Sequence, residues 1–245
     1  MTSPPQPRRF FFVHVLKTGG VSLYVRMLRY FGPSAVYPDP SDGDIVEDAP
    51  QLMTDVLLER WKARGDEIQV VVGHFPLCTA ELLDGDFTTL TVLRNPVDRT
   101  LSYLRHHRDT TPEDSERSLE EIYEDPLRFH HFIHNHMVKM LSLRAEEMTD
   151  GMMTKIEFDR GRLRRAKRTL RKIDEFGLQD ELEPFAQRLE RRFRWELGPP
   201  VHENVTEPVA VPNSFRARIA EDNRLDMELY EYGRKLLGRR LRRGR

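Results

Sequence analysis

Lys17, Gly19, Gly20 and Ser22 stand close together where an apolar run gives out, in the stretch FFVHVLKTGGVSLYV that covers residues 11–25. A strand that stops in a glycine-bearing turn and then feeds a helix aims several unpaired backbone N–H groups at one point, and the helix dipole adds partial positive charge there. Lys17 adds a full positive charge at the mouth of the turn. Gly19 and Gly20 let the backbone approach an anion without a Cβ in the way, and Ser22 offers a hydroxyl donor. The ligand such a loop suits, through the amides of Thr18 to Ser22 with Val21 among them, is a phosphate-like group. The order differs from the common nucleotide loop GxxxxGK[ST], because here the lysine precedes the glycines. An ordinary ATPase loop is therefore disfavoured, although a tight strand-to-helix turn alone would also explain paired glycines.

A second stretch repeats the layout. In LRNPVDRTLSYLRHHR (93–108), Arg94 closes an apolar run, Asn95 can cap a helix with Pro96 at its first position and Asp98 in its first turn, and Ser102 lies further along. Two such turns at the carboxyl edge of one sheet form a crevice able to hold two separated anionic groups. His74 ends a third apolar run, IQVVVGH (68–74), beside that crevice. Imidazole titrates close to working pH, which makes His74 a candidate general base, with a histidine that merely finishes a strand as the alternative. The cluster His130, His131, His134 and His136 invites a metal reading, but it lacks a convincing third ligand and any HExxH pattern, and one helix would spread the four over different faces. No metal is expected.

The elements that must position these residues follow from periodicity. Residues 9–16, 68–74 and 87–94 are short Val-, Phe- and Ile-rich runs bounded by turns, the pattern of strands buried on both faces. Helical patterns cover 22–31 and 50–65 and begin again at Asn95. This alternation implies an α/β fold, a P-loop-like, doubly wound parallel sheet flanked by helices. From Leu119 onward the pattern turns mostly helical, over 119–125, 128–141, 160–172, 182–193 and 215–237, with 154–158 and 195–214 irregular. The 245 residues are expected to form one domain, with 1–9 a flexible N-terminus and 238–245 a basic tail.

Composition narrows the class further. Lys plus Arg (39) nearly cancel Asp plus Glu (40), and a net charge of −1 gives no reason to expect nucleic acid as partner. Basic runs at 160–172 and 238–245 read first as a solvated helix face and a frayed end, although Arg160, Arg164, Arg165 and Lys167 could favour an anionic acceptor. A lone cysteine, Cys78, excludes an internal disulfide framework and implies a reducing, cytoplasmic setting. The first residues are too few and too polar for a signal peptide, and no apolar run approaches the ~20 residues that cross a bilayer.

Two motifs carry a resemblance. KTGGVSL (17–23) resembles the 5′-phosphosulfate loop, and LRNPVDRTLSY (93–103) the 3′-phosphate motif, of sulfotransferases that use 3′-phosphoadenosine-5′-phosphosulfate (PAPS). Within that superfamily the chain most resembles the branch of heparan sulfate 2-O-sulfotransferase and its bacterial relatives. VVVGHFP (70–76) is similar to that branch's catalytic-histidine segment, HNHMVKML (134–141) to its Asn-x-x-x-Arg-x-Leu helix, and RLDMELYEYGRKLL (224–237) to its closing helix, so the matches spread over most of the chain. Lys139 departs from the pattern, standing where the branch tends to have arginine, which would turn a bidentate contact into a point charge.

The resemblance implies transfer of a sulfuryl group from PAPS to a hydroxyl of a saccharide, lipid or small-molecule acceptor, with PAP as product. It gives Lys17 the charge developing on the 5′-phosphate, Arg94 and Ser102 the 3′-phosphate, His74 the acceptor's proton, and Asn135 and Lys139, one helical turn apart, contact with the acceptor or donor. It also implies that the polar loop 202–208 covers the nucleotide. Two other readings stay open. A nucleotide-dependent kinase would need a Mg²⁺-binding acid, for which Asp98 is the nearest candidate and is already explained by its helix start. A nucleotide- or glycan-binding module would keep the crevice without turnover.

Overall fold

Runs of β-branched and aromatic residues with no polar interruption need cover on both faces, and the sheet supplies it. The computed structural model describes residues 8–43, 49–201 and 210–243. Five parallel strands, β1 (Arg9–Val13), β2 (Val36–Tyr37), β3 (Val70–Gly73), β4 (Phe87–Leu93) and β5 (Glu175–Leu178), lie in the order β2-β3-β1-β4-β5. Phe11, Val13, Val71 and Leu93 face one core, and Phe10, Phe12, Val70, Val72 and Val92 face the other, the two-residue alternation of a pleated strand.

The helices follow as α1 (Gly20–Phe31), α2 (Thr54–Arg64), α3 (Pro96–Thr110), α4 (Leu119–Tyr123), the single turn α5 (Pro126–Arg128), α6 (His136–Ser142), α7 (Arg160–Lys172), α8 (Leu182–Phe193), α9 (Asn213–Asp222) and α10 (Arg224–Arg243). Leu23 and Met27 of α1 and Phe185 and Leu189 of α8 cover one sheet face with Trp195. Residues of α6, α7 and α10 cover the other. The outcome is the doubly wound α/β sheet that the alternation implies.

Register decides where the chemistry collects. Val13 pairs with Gly73 on one side and with Thr91 on the other, so β1, β3 and β4 reach the carboxyl edge together. The chain leaves β1 toward β2 and leaves β4 toward β5, on opposite sides, which places a topological switch point between them.

Four expectations need correction. The helical second half also contributes β5, whose sequence EFGL has no β-branched residue to mark it as a strand. The helix expected over 128–141 is broken: residues Phe129–Ile133 form a wide π-type turn, and Asn135 takes a left-handed φ of 46° before α6 begins. The helix expected over 215–237 divides at Asn223 into α9 and α10. One set of bonds explains both breaks. Asn135 Oδ1 accepts the N–H groups of Leu225 (3.0 Å) and Asp226 (3.1 Å) at the start of α10, while Asn223 Oδ1 accepts the Asn135 N–H at 2.8 Å. The satisfied backbone of one helix start outweighs local helical spacing in the other segment. Residues 238–243 are not a frayed tail either, because they continue α10, where the Arg240 guanidinium donates to the carbonyls of Ile173 and Arg171.

Candidate functional site

Beyond Val13 the chain turns through a loop with two left-handed residues, Lys17 (φ 62°) and Gly19 (φ 83°), before α1 opens at Gly20. Alternation of this kind curls successive amides toward one point. The Thr18 hydroxyl donates to the Val15 carbonyl at 2.8 Å and is fully buried, so the side chain braces the loop and Thr18 can reach a ligand only through its main chain. Gly20 has a different role. A Cβ there would collide with the His14 imidazole, whose Cδ2–Nε2 edge lies against the first turn of α1.

Asn95 caps α3 as its sequence predicts, its Oδ1 accepting the N–H groups of Val97 and Asp98, with Pro96 at the first helical position. This sets Arg94 at the lip of the sheet and Ser102 inside the same groove. Arg94 Nη1 donates to the Lys17 carbonyl at 2.9 Å, tying the two turns together.

The result is a cleft of about 450 Å³. Lys17, Gly19, Gly20, Val21 and Ser22 from the first turn, Arg94 and Ser102 from the second, and His74 from the end of β3 all line it. Residues that sequence reasoning passed over complete it. Arg105, three residues after Ser102 on the same helix face, joins from α3 with Tyr103, His106 and His107. His14 enters from the end of β1, and Gln179, Leu182 and Val201 from the segments after β5. Spacing could have found Arg105. Gln179 and Leu182 carry no signal without β5.

The electrostatics are one-sided. Lys17, Arg94 and Arg105 line the cleft, and among the described residues no carboxylate does. Burial, then Arg94, then Arg105 push the Lys17 ammonium down to about 8, while burial also lowers Arg94. The Arg94 Nε is buried without a hydrogen-bond partner among the described residues. Asp98 lies outside the lining and pairs with Arg216 at 2.8 Å, while its charge still favours the cationic forms of Arg94 and Arg105. Unpartnered cations in a half-buried groove are costly unless an anion joins them.

His74 is held by one bond. Its Nδ1 lies 2.7 Å from the His14 carbonyl oxygen, and since a carbonyl can only accept, Nδ1 carries the proton and Nε2 keeps its lone pair. Burial lowers the ring's pKa to about 4, the bond to His14 opposes that shift, and Lys17 adds to it. The imidazole therefore does not titrate near neutrality in this cleft, as its residue type suggests, but is neutral there. The His14 and His74 rings are 4.5 Å apart.

Asn135 and Lys139 are not brought to this cleft. Asn135 is spent on the start of α10, and Lys139 is 1% exposed, its ammonium making no hydrogen bond or ion pair among the described residues and its pKa lowered to about 8 by burial, against the opposing charge of Asp150. Their expected shared face required the unbroken helix that Asn135 interrupts. A larger cleft, about 640 Å³, includes His130, His134 and Asn135, but Glu157, Asp159, Glu221 and Asp222 line it beside Lys155, Arg160 and Arg224. Its charges are mixed, so it offers an anion no net attraction. His131 and His136 are buried elsewhere, and among the described residues no group of three or more His, Cys, Asp or Glu is placed to hold a metal ion. The loop 202–208 lies outside the described residues.

Fold and cleft together define an α/β protein with a crevice lined by cations at the switch point of its sheet. No protein-family model matches the sequence, and no curated protein matches it. Among solved structures, the chain is similar to a sulfotransferase from Alicyclobacillus acidocaldarius, at 17% identity over 90% of this chain and 96% of that one, with a TM-score of 0.45. At that level of overlap the likeness carries no weight for chemistry, which rests on the cleft's own residues.

Proposed function

We propose that the protein is an O-sulfotransferase that uses PAPS and sulfates a hydroxyl of a saccharide, lipid or small-molecule acceptor by in-line displacement, in a cytoplasmic setting. One observation carries the reading: Lys17 and Arg94 leave separate strands and meet in one cleft that no described carboxylate lines. PAPS presents anionic groups on both sides of its ribose, and the cleft offers cations from two different turns, Lys17 and Arg94, to meet them. The unpartnered Arg94 Nε is the kind of buried donor a 3′-phosphate would satisfy. The sequence resemblance to the heparan sulfate 2-O-sulfotransferase branch supports the same assignment.

When bound, the donor supplies the sulfuryl group; the chain supplies position and charge. The loop amides and Lys17 hold the 5′-phosphate and stabilise charge that grows on its oxygen. Arg94 and Ser102 hold the 3′-phosphate, and Arg105 adds a third cation to the cleft. His74, with Nδ1–H fixed on the His14 carbonyl, accepts the acceptor's hydroxyl proton at Nε2. Burial lowers its pKa, and anionic groups of a bound donor beside the ring would raise it toward a more effective base.

The kinase reading loses ground because Asp98 is paired with Arg216 and no described carboxylate lines the cleft to hold Mg²⁺. Among the described residues no helix is long and apolar enough to cross a membrane.

Calorimetry with PAP and with ATP tests the proposal, followed by transfer of labelled sulfate to a panel of hydroxyl acceptors. Tighter binding of PAP than ATP, with transfer, is the expected result. Preference for ATP, or indifference to the 3′-phosphate, removes it. PAP binding with no transfer to any acceptor, in the protein and in His74→Ala alike, would leave a binding module.

A further inference from the structure

We propose that His14 is a second catalytic imidazole, one that donates an Nε2–H hydrogen bond to an oxygen of the sulfuryl group in transit and stays neutral while doing so. This rests on the donor assignment above. His14 lies immediately past the last residue of β1, where its N–H is fixed by the Gly73 carbonyl at 3.0 Å. The ring lines the cleft. On one side its Cδ2–Nε2 edge packs on Gly20, the first residue of the helix whose amides hold the 5′-phosphate. On the other side it lies 4.5 Å from the ring of His74, which takes the acceptor's proton. An in-line transfer places the migrating group between the leaving oxygen and the acceptor oxygen, and His14 borders the space between the two residues that mark those ends.

The remaining contacts leave the ring free for this task. Its flat face stacks on Phe12 at 5.8 Å, and neither ring nitrogen makes a hydrogen bond among the described residues. Burial keeps it neutral, and the groups that face it, His74 and Lys17, lower its pKa further. A neutral imidazole donates without competing with His74 for the proton. Electrons and atoms balance simply. The sulfur–oxygen bond to the 5′-phosphate breaks as the bond to the acceptor oxygen forms, the leaving phosphate oxygen keeps the bond pair, and the acceptor's proton goes to His74. His14 exchanges nothing.

Two substitutions separate donor from packing: His14→Phe keeps a flat ring against Phe12 and His74 but has no donor, whereas His14→Gln places an amide N–H near the position of Nε2. Single-turnover transfer should fall about a hundredfold in His14→Phe and recover to within about tenfold of wild type in His14→Gln. PAP lacks the sulfuryl group, so its affinity by calorimetry should change less than about threefold in both. Inorganic sulfate titrated onto the PAP complex should bind about tenfold more weakly to His14→Phe, a readout independent of turnover. Wild-type transfer by His14→Phe, equal rates for Phe and Gln, or a loss of PAP affinity with no loss of rate would each overturn the role. Failure of the unsubstituted protein to bind PAP would instead sink the donor assignment itself.

Discussion

Two regions of this molecule are rich in cations, and they are built in opposite ways. On α7, Arg162 forms a two-pronged pair with Glu147 (2.7 and 3.1 Å), Arg165 reaches the same carboxylate at 3.5 Å, Arg160 pairs with Glu228, and Lys167 lies 3.7 Å from it. In the cleft, Lys17, Arg94 and Arg105 face one another with no described carboxylate between them. The helix carries more positive charge, but its cations either pair with a carboxylate or face solvent, whereas those of the cleft are part-buried and form no ion pair among the described residues. Charge density on its own marks a solvated surface, whereas cations half-buried together and left unpaired mark a place where a ligand completes the fold's electrostatics.

The sharpest way to break this contrast is to remove the charge at the mouth of the loop. Lys17→Ala should lower kcat about a thousandfold, since it takes away a preorganised cation aimed at the leaving oxygen. The pH dependence sharpens the point. For the free protein, kcat/KM should rise with pH through about 4 as His74 becomes neutral, and fall above about 8 as Lys17 loses its proton. Lys17→Arg should abolish the alkaline fall, because a guanidinium keeps its charge. A fall near 8 that persists in Lys17→Arg would assign it to another group.

Arg94→Ala should come next in size. It removes the donor expected to meet the 3′-phosphate and should weaken PAP about ten- to a hundredfold by calorimetry, with a smaller loss for a ligand that lacks that phosphate. Equal losses for both ligands would place Arg94 elsewhere on the nucleotide or make it only a brace for Lys17.

Asn135→Ala tests the other side of the comparison, where polar groups are fully used. Losing its side chain strands the N–H groups of Leu225 and Asp226 in a buried site, so unfolding in urea should show about 2 kcal/mol less stability. PAP affinity should not move. A selective loss of binding at unchanged stability would restore Asn135 to the ligand.

The sequence made the centre of the sheet readable for a physical reason: β1 and β3 carry unbroken Phe and Val runs, β4 ends in Leu-Thr-Val-Leu buried throughout, and all three stop at polar turns. β2 has only two residues, and β5, EFGL, has no β-branched residue and starts on a charge. The same division runs through the cleft. Lys17, Gly19, Gly20, Arg94 and Ser102 lie in turns whose geometry is local, so their meeting follows from strand register. His14 escaped notice because its place in the cleft depends on how its ring packs against Gly20 and His74, which neither strand period nor turn spacing reveals. Asn135 and Lys139 were joined by helical spacing, and spacing cannot reveal that a distant helix start draws Asn135 out of its own helix.

The smallest effect belongs to the helix that looks most like an anion site on paper. Arg162→Ala removes the two-pronged pair with Glu147 at the edge of α7, and pairs of this kind are worth about 0.2–1 kcal/mol because water screens them and the long side chains lose freedom. Thermal unfolding should shift by no more than about that amount, and 0.5 M salt should erase most of the difference between the variant and wild type. PAP binding and transfer should be unchanged. If Arg162→Ala instead weakened an acidic acceptor while leaving a neutral one unaffected, Arg162 would release Glu147 for that ligand, and the division between paired surface and unpaired cleft would have to be redrawn along α7.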